Sequence, residues 1–254
     1  MAGGIGNDIY EVTSAGDVVT ELAGGGSDTI WTSLATYTLG ANVENLYFGA
    51  SGNFRGTGNV LANTIVGGAG NDILIGGNGN DTMAGGIGND VYEVTSAGDV
   101  VTEAAGGGND TVWTSLSSYT LGANVESLFF GGSGNFAGTG NTLNNTIVGG
   151  AGNDVLTGGG GNDLLSSGIG GNDTFVFAAA GFGTDAIFNF GANLVAGHDL
   201  LNITGLGITS ATFAANVSIT ADGADTMVGI GADSIRLVGV ASAAVDQTDF
   251  ILAT

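Results

Sequence analysis

The sequence predicts an all-β fold in which a parallel β-solenoid is followed by an antiparallel β cap. Three observations support this. The chain has 254 residues with 51 glycines and neither proline nor cysteine, a nonapeptide pattern repeats in frame, and the final segment replaces that pattern with apolar–polar alternation. Hydrophobic residues make up 43% of the chain, so a core can form despite the glycine content.

A long internal duplication organises the first part of the chain. The stretch "MAGGIGNDIYEVTSAGDVVTE" at 1–21 recurs almost unchanged at 83–103, so Met1 corresponds to Met83, and the shift equals nine nonapeptides plus one residue. Such self-similarity indicates a repeat architecture. The predicted organisation has three parts: a first repeat unit (1–82), a second repeat unit (83–163) and a C-terminal β cap (164–254).

The finer repeat is a nonapeptide of the form G-G-x-G-x-D-x-U-x, in which U is a large residue of mainly apolar character. Its U positions are predicted to point into the core, because the last three residues of each copy suit a short strand. The clear copies are 67–75, 76–84, 85–93, 149–157 and 158–166, with Leu74, Met83, Tyr92, Leu156 and Leu165 at U.

These consecutive copies resemble the RTX family of calcium-binding nonapeptide-repeat proteins over residues 1–175. The resemblance implies a calcium-stabilised parallel β-roll with several Ca²⁺ ions along its turns, held by aspartate side chains and by carbonyls of motif positions one to four. Which carbonyls bind each ion stays open. The ligands so implied are Gly67, Gly68, Ala69, Gly70, Asp72, Gly76, Gly77, Asn78, Gly79, Asp81, Gly85, Gly86, Ile87, Gly88, Asp90, Asp99, Gly149, Gly150, Ala151, Gly152, Asp154, Gly158, Gly159, Gly160, Gly161 and Asp163, with Asp8, Asp28, Asp110 and Asp173 in isolated or offset turns.

The spacing itself favours a site for a hard cation. A turn and a strand, taken twice, return the chain to the same side after two nonapeptides, so Asp72 should stack under Asp90, and Asp81 between Asn63 and Asp99. Stacked turns would present only oxygen ligands, which suit Ca²⁺. The alternative is a set of ordinary Asx–Gly turns in which each aspartate caps its own loop.

The charge balance points to the same kind of partner. Asp and Glu number 24 against two basic residues, Arg55 and Arg236, for a net charge of −22. This excludes a nucleic-acid interface and disfavours an anionic membrane surface, since both require basic patches. No apolar run approaches the length of a membrane span. The natural partner of so many uncompensated carboxylates is a cation.

The C-terminal segment carries alternating stretches such as "ATFAANVSIT" and "DTMVGIGADSIRLVGV", which predict antiparallel hairpins. Together with "GFGTDAIFNF", "GHDLLNITGLG" and "DFILAT", it resembles the C-terminal region of type I-secreted, serralysin-type proteins. The resemblance implies an uncleaved signal at Asp249–Leu252 for the type I secretion machinery, and a bacterial protein that is extracellular or on the cell surface. Residues 1–30 show no Sec signal peptide. The alternative is a strand that merely ends the fold.

Catalysis is not expected from these residues. His198 is the single histidine, which excludes HExxH zinc sites, and it is predicted to lie in a turn. No GxSxG elbow is present. The acidic pairs Glu11/Glu93, Glu21/Glu103 and Glu44/Glu126 recur with the duplication, which favours a structural role, and Trp31, Trp113, Phe48 and Phe130 are expected to fill the core.

Two functions remain open on the sequence alone. The first is a secreted calcium-binding structural protein of a surface layer, matrix, adhesin or fibre. The second is the non-catalytic tail of a larger secreted enzyme of protease, lipase or epimerase type. Met1 aligns with Met83, so the chain is expected to begin in the middle of the repeat array. An unfinished solenoid end favours end-to-end association into a homo-oligomer or filament.

Overall fold

The computed structural model describes residues 1–192 and 198–254, and these divide into two compact units. Unit 1 comprises Met1–Leu116 with Gly122–Val125, and unit 2 comprises Ser117–Leu121 with Glu126–Thr254. The C-terminal stretch "GHDLLNITGLG" begins at Gly197, which lies outside the described residues. Both units consist almost wholly of short β-strands, as the repeats predict.

Unit 1 is a two-layered parallel solenoid. Layer A has the strand order β1-β2-β4-β6-β8-β10 and layer B the order β3-β5-β7-β9-β11, so from β4 onward successive strands alternate between layers. The strands are β1 Ile9–Val12, β2 Thr29–Thr32, β3 Thr36–Thr38, β4 Asn45–Phe48, β5 Arg55–Thr57, β6 Thr64–Ala69, β7 Ile73–Ile75, β8 Thr82–Ile87, β9 Val91–Val94, β10 Val100–Val101 and β11 Thr111–Thr114.

Unit 2 begins in the same way and ends in the predicted antiparallel cap. One parallel layer has the order β12-β14-β16-β18-β20-β24, and the other runs β13-β15-β17-β19-β23 before the antiparallel strands β22 and β21. The strands are β12 Ser118–Thr120, β13 Ser127–Phe130, β14 Ala137–Thr139, β15 Thr146–Val148, β16 Val155–Thr157, β17 Leu164–Ser166, β18 Thr174–Val176, β19 Thr184–Phe188, β20 Leu200–Asn202, β21 Val217–Asp222, β22 Asp225–Ile230, β23 Asp233–Leu237 and β24 Phe250–Ile251.

Helix is confined to four short pieces in the described part of unit 2. One α-helical turn, α1, covers Phe213–Asn216, and 3₁₀ turns cover Thr204–Leu206, Ser242–Ala244 and Gln247–Asp249. Among the described residues no helix has the length and apolar character that crossing a bilayer requires.

The length of each coil is read from the strand register. Ile65 pairs with Met83 and Leu74 with Tyr92, in each case two nonapeptides further along the chain, as the repeat predicts. The coil that pairs Tyr92 with Val112 is longer by two residues. Because nine nonapeptides are an odd number of half-coils, β9, the copy of β1 one duplication later, lies in layer B rather than in layer A.

The core is formed by columns of large side chains between the layers. All five predicted U residues are fully buried. Leu46, Ile65 and Met83 lie in one column of layer A. Leu74 and Tyr92 are neighbours in a column of layer B. The burial of one large side chain per nonapeptide, alternately from each layer, explains why the repeat tolerates so much glycine elsewhere.

The prediction for the aromatic residues was half right. Phe48 and Phe130 are buried, but Trp31 and Trp113 are 44% and 47% exposed. In both strands the tryptophan stands between two inward-facing residues, as Trp31 does between Ile30 and Thr32, so the pleat turns its side chain outward.

Candidate metal centre

The turn residues of the nonapeptides form ladders of carboxylates along the coils. In layer B, the backbone N–H of Phe54 donates to Asp72 Oδ1 at 2.8 Å, that of Asp72 to Asp90 Oδ1 at 2.7 Å, and that of Asp90 to Asp110 Oδ1 at 2.8 Å. Each aspartate is thus fixed by the coil before it. The predicted stacking of Asp72 under Asp90 is present, and Asp110 joins the ladder despite its offset turn.

Layer A carries an equivalent ladder. The N–H of Asn63 donates to Asp81 Oδ1 at 2.8 Å, and that of Asp81 to Asp99 Oδ1 at 3.0 Å. At the other end of the layer, the N–H of Asp8 donates to Asp28 Oδ1 at 2.8 Å. The sequence predicted the pairs that are two nonapeptides apart, and the structure adds the Asp8–Asp28 pair, whose spacing is longer.

Unit 2 extends the pattern to residues that the spacing did not reveal. The N–H of Asp154 donates to Asp173 Oδ1 and that of Asp163 to Asp185 Oδ1, both at 2.8 Å, and the N–H of Asp173 donates to Asp199 Oδ1 at 2.9 Å. Asp185 and Asp199 follow their partners at sequence separations of 22 and 26, so a search for nonapeptides passes over them. The remaining signal is an aspartate placed shortly before an apolar strand.

The second oxygen of these aspartates is the chemically informative one. It is buried and has no hydrogen-bond partner in the described part of the chain at eight positions: Asp8, Asp28, Asp72, Asp81, Asp90, Asp154, Asp163 and Asp185. A buried carboxylate oxygen without a partner is costly unless a proton or a cation neutralises it. Among residues 1–192 and 198–254, the ion pairs are His198–Asp249 and Arg236–Asp225, and neither includes one of these eight aspartates.

Each such oxygen of a clear nonapeptide lies against the first glycine of its own motif. A Cβ added to Gly67 would stand 2.1 Å from Asp72 Oδ2, and one added to Gly85 would stand 2.1 Å from Asp90 Oδ2. The first glycine therefore makes room for the carboxylate. The second and fourth glycines have a different role, since Gly68 and Gly70 adopt φ of 98° and 124°, which side chains rarely allow.

The glycine carbonyls of one coil approach the next coil closely. A Cβ on Gly86 would stand 2.2 Å from Gly68 O, and one on Gly88 would stand 1.9 Å from Gly70 O. The carbonyl at position three is used differently, because Ala69 O accepts the N–H of Gly52 and Ile87 O accepts that of Gly70. A position-two carbonyl is used in the same way, because Gly150 O accepts the N–H of Ile169 at 3.1 Å. Among the predicted carbonyl ligands, the position-four carbonyl of Gly70 is therefore better placed between coils than those of Ala69 and Ile87.

Asp99 fits the alternative interpretation, in which an aspartate caps its own loop. Its Oδ2 accepts the N–H groups of Thr95 and Ser96 at 3.1 and 2.9 Å, while its Oδ1 accepts that of Asp81. Both oxygens are occupied, unlike those of the eight aspartates above. The two interpretations thus apply to different members of one ladder.

Burial dominates the electrostatics of the ladders. It raises the pKa of Asp90, Asp154 and Asp163 to about 6, although the N–H that each Oδ1 accepts works in the opposite direction. Burial also raises the pKa of Asp185 to about 7. At neutral pH, Asp90, Asp154 and Asp163 are therefore mostly ionised and Asp185 is about half ionised, and no ion pair among the described residues reaches them. Such carboxylates are the donors that a hard cation prefers.

Two groups of three carboxylates stand out in unit 1. The first consists of Asp8, Glu21 and Asp28, and the second of Asp90, Glu103 and Asp110; in each group, one oxygen from every residue lies within 4.8 Å of the others. The two groups are copies of each other, related by the internal duplication. Glu21 and Glu103 were assigned a structural role from the sequence, but the structure places them beside the aspartates.

His198 lies in a loop, as predicted, and also contacts the C-terminal segment. Its Nε2 is 2.9 Å from Asp249 Oδ1, and the Asp249 side chain is fully buried. The C-terminal strand β24 pairs with β20 at the end of its layer, as expected if the segment ends the fold.

A family model for the RTX calcium-binding nonapeptide repeat matches residues 57–92 and 139–175. These segments are RTX repeats. They contain six of the twelve ladder aspartates and lie in the all-β solenoid described above. RTX repeats bind Ca²⁺ in general, and the buried carboxylate oxygens of this chain fit such an ion by their chemistry.

Known proteins with similarity to the chain include an enzyme. The endo-1,3-1,4-beta-glycanase ExsH of Rhizobium meliloti (strain 1021) is 46% identical over 74 residues, which make up 29% of this chain and 16% of the glycanase. The chain thus spans about a sixth of that relative's length.

Two solved structures also show similarity. The AlgE6R3 subunit of the Azotobacter vinelandii mannuronan C5-epimerase is 27% identical, with a TM-score of 0.39, over 52% of this chain and 80% of the subunit. The extracellular lipase LipA of Serratia marcescens is 18% identical, with a TM-score of 0.33, over 91% of this chain and 45% of the lipase.

Proposed function

We propose that this chain is a secreted calcium-binding β-roll that folds on extracellular Ca²⁺ and serves a structural or surface-assembly role. The observation that carries the proposal is the row of buried carboxylate oxygens without partners, in a chain with two basic residues against 24 acidic ones. The neighbouring negative charges of such a row repel one another until cations bind between them. Cells keep cytosolic calcium low, so the chain would stay expanded before export and fold outside.

The proposed ligands are the ladder aspartates together with glycine carbonyls of motif position four. Asp72, Asp90, Asp154 and Asp163 each offer a free Oδ2 beside the first glycine of their motif. Calcium accepts six to eight such oxygens in flexible geometry, whereas Mg²⁺ demands a small octahedron and retains water. The carbonyl-rich gap between coils favours calcium.

The test is far-UV circular dichroism of the full chain in EGTA and after addition of millimolar Ca²⁺, with Mg²⁺ as the control ion. We expect the β-sheet signal to appear with Ca²⁺ and to be lost again on chelation. A β-sheet signal that is the same in EGTA and in Ca²⁺ would overturn the proposal.

The second candidate function is the non-catalytic module of a larger secreted enzyme, with export through the type I secretion machinery. It is favoured by the glycanase ExsH, which is 46% identical to the chain over 74 residues. Sedimentation velocity separates the two roles. Calcium-dependent homo-oligomers or filaments support surface assembly, whereas a monomer at all calcium concentrations supports the module. We assign no catalytic step to the chain in either role.

A further inference from the structure

We propose that the two three-carboxylate groups of unit 1 are cation sites of a separate kind, in which a glutamate stands at the position of the motif's first glycine and supplies a third carboxylate. The sites are Asp8–Glu21–Asp28 and Asp90–Glu103–Asp110. Their ligand is a hard cation of high charge, Ca²⁺ in nature and a trivalent lanthanide as a probe. The inference rests on the proposed function, since it assumes that cations enter the ladders.

A two-residue insertion creates each site. Val100 pairs with Thr82 and Val101 with Met83, and the continuation of this register brings Glu103 beside Gly85, the first glycine of its motif. In the other copy, the bridge between Ala2 and Thr20 brings Glu21 beside Gly3 in the same way. The coil is longer than a regular one by the insertion, and the glutamate carboxylate lies within 4.8 Å of the two aspartates of its group.

The glutamate carboxylate is held by the turn that it joins. The N–H groups of Gly3 and Gly4 donate to Glu21 Oε1 and Oε2 at 3.2 and 3.3 Å, and that of Leu22 donates to Oε2 at 3.3 Å. These contacts orient the carboxylate without neutralising it. Glutamate at the position of a glycine is otherwise unexpected, because the first glycine of the regular motif leaves room for the aspartate.

The three carboxylates of the second site are shielded from solvent. Asp90, Glu103 and Asp110 are 1%, 8% and 0% exposed, so the three acidic side chains are enclosed together. Within the described part of the chain, Asp90 Oδ2 has no hydrogen-bond partner, and the same holds for Asp28 Oδ2 in the first site. These enclosed oxygens are the independent indication that a ligand completes each group.

A tyrosine positions the glutamate of the second site. Tyr92, fully buried at a U position, accepts the N–H of Gly85 at 2.6 Å and donates its hydroxyl hydrogen to Glu103 Oε1. Tyr10 stands at the corresponding place of the first site, where its buried hydroxyl has no hydrogen-bond partner among the described residues. Leucine or methionine occupies the U position in the other clear nonapeptides, so tyrosine occurs in the two repeats that carry the glutamate, and in the second it donates to that glutamate.

Three carboxylates distinguish these sites from the regular ones by charge. A regular site between coils has two stacked aspartates, such as Asp72 and Asp90, and neutral carbonyls. A third carboxylate strengthens the attraction for a trivalent ion more than that for a divalent one. Tb³⁺ is therefore the suitable probe, and the adjacent Tyr92 and Tyr10 would sensitise its luminescence.

The experiment uses the full chain with Glu21→Gln and Glu103→Gln combined, and Glu11→Gln with Glu93→Gln as the matched control on exposed positions of the same two repeats. Ca²⁺ stoichiometry is measured by equilibrium dialysis, and Tb³⁺ binding by luminescence excited through tyrosine. We expect the first variant to lose the two tightest Tb³⁺ sites, with affinity there reduced about tenfold or more, and the control to match the unmodified protein. Tyr10→Phe with Tyr92→Phe should lower the sensitised emission.

The outcomes separate this inference from the proposed function. If the unmodified protein takes up no calcium, the proposed function fails. If it takes up several ions and the Glu21→Gln/Glu103→Gln variant binds Ca²⁺ and Tb³⁺ with unchanged number and affinity, only the glutamate sites are refuted. Circular dichroism at saturating Ca²⁺ verifies folding. Should the double variant not fold, each single variant is expected to lose one site, and unchanged binding by both would equally refute the inference.

Discussion

Asp72 and Asp90 are joined by a hydrogen bond between coils: the backbone N–H of Asp72 donates to Asp90 Oδ1 at 2.7 Å. The bond uses one oxygen of Asp90 and leaves Oδ2 buried, with no partner in the described part of the chain. Hydrogen bonds to backbone thus set the spacing of the coils, while the remaining oxygen stays available for a cation.

The first prediction concerns the free oxygen of a regular site. Asp72→Asn keeps Oδ1, which accepts the N–H of Phe54, but removes the charge. With a dissociation constant of about 10⁻⁴ to 10⁻³ M, one site at about 1 mM Ca²⁺ contributes about 0.4–1.4 kcal/mol. We expect stability in calcium to fall by about that amount and the calcium midpoint of folding to rise, as measured by circular dichroism.

The matched control is Asp17→Asn. Asp17 Oδ2 caps its own loop through the N–H groups of Thr13 and Ser14 at 3.2 and 3.0 Å. Asparagine keeps an oxygen that can accept these N–H groups, so Asp17→Asn should change the stability little and leave the calcium midpoint of folding where it is. An equal effect of both substitutions on calcium affinity would contradict a specific role for Asp72.

The second prediction compares two neighbouring glycines. Gly67→Ala would place a Cβ 2.1 Å from Asp72 Oδ2, so it should displace the carboxylate and weaken calcium binding. Gly68→Ala meets nothing closer than Phe48 O at 3.5 Å but forces alanine into φ of 98°. It should cost about 1–2 kcal/mol of stability through backbone strain.

Calcium titrations at matched stability distinguish the two glycine variants. After correction for the loss of stability, the intrinsic affinity of Gly68→Ala should equal that of the unmodified chain, and that of Gly67→Ala should be lower. A lower intrinsic calcium affinity for Gly68→Ala than for Gly67→Ala would show that the first glycine does not make room for the carboxylate.

The third prediction is a pH dependence of the metal-free chain. The folded-state pKa is raised to about 6 for Asp90, Asp154 and Asp163 and to about 7 for Asp185, because these groups are buried. The folded chain therefore binds protons more tightly than the unfolded chain does. The resulting stability is fully present below about pH 4, the ordinary aspartate pKa, and is lost as pH rises through about 6 to 7.

Circular dichroism of protein freed of metal on a chelating resin tests this directly. The β-sheet signal should be stronger near pH 4–5 than at pH 8, and the apparent calcium affinity should increase over the same interval, because protons compete for the ligands. A metal-free chain that is more structured at pH 8 would contradict burial as the cause of the raised pKa values.

The fourth prediction concerns the end of the chain. Asp249 Oδ1 contacts His198 Nε2 at 2.9 Å, and its Oδ2 accepts the N–H of Asp246 at 2.8 Å. Asp249→Asn replaces a fully buried carboxylate and should destabilise the fold by about 1–3 kcal/mol. Urea unfolding measures this, with Asp222→Asn, an exposed position in β21, as the control. Equal midpoints for the two variants would show that the His198 contact contributes nothing.

The sequence by itself determined the parts of the protein that depend on the period of two nonapeptides. The burial of Leu74 and Met83, the stacking of Asp72 with Asp90, and the antiparallel cap follow from the sequence pattern, because a strand's pleat and a fixed coil length convert spacing directly into position. Where the period held, the prediction held.

The tertiary structure decided everything that depends on irregular coils and side-chain reach. Insertions lengthen coils beyond the regular period, so only the register brings Asp185 and Asp199 into the ladders and Glu103 beside Asp90. Composition likewise could not reveal that Trp31 faces outward, since a one-residue change of register reverses the face. Three-dimensional pairing, not local pattern, determines which carboxylates meet.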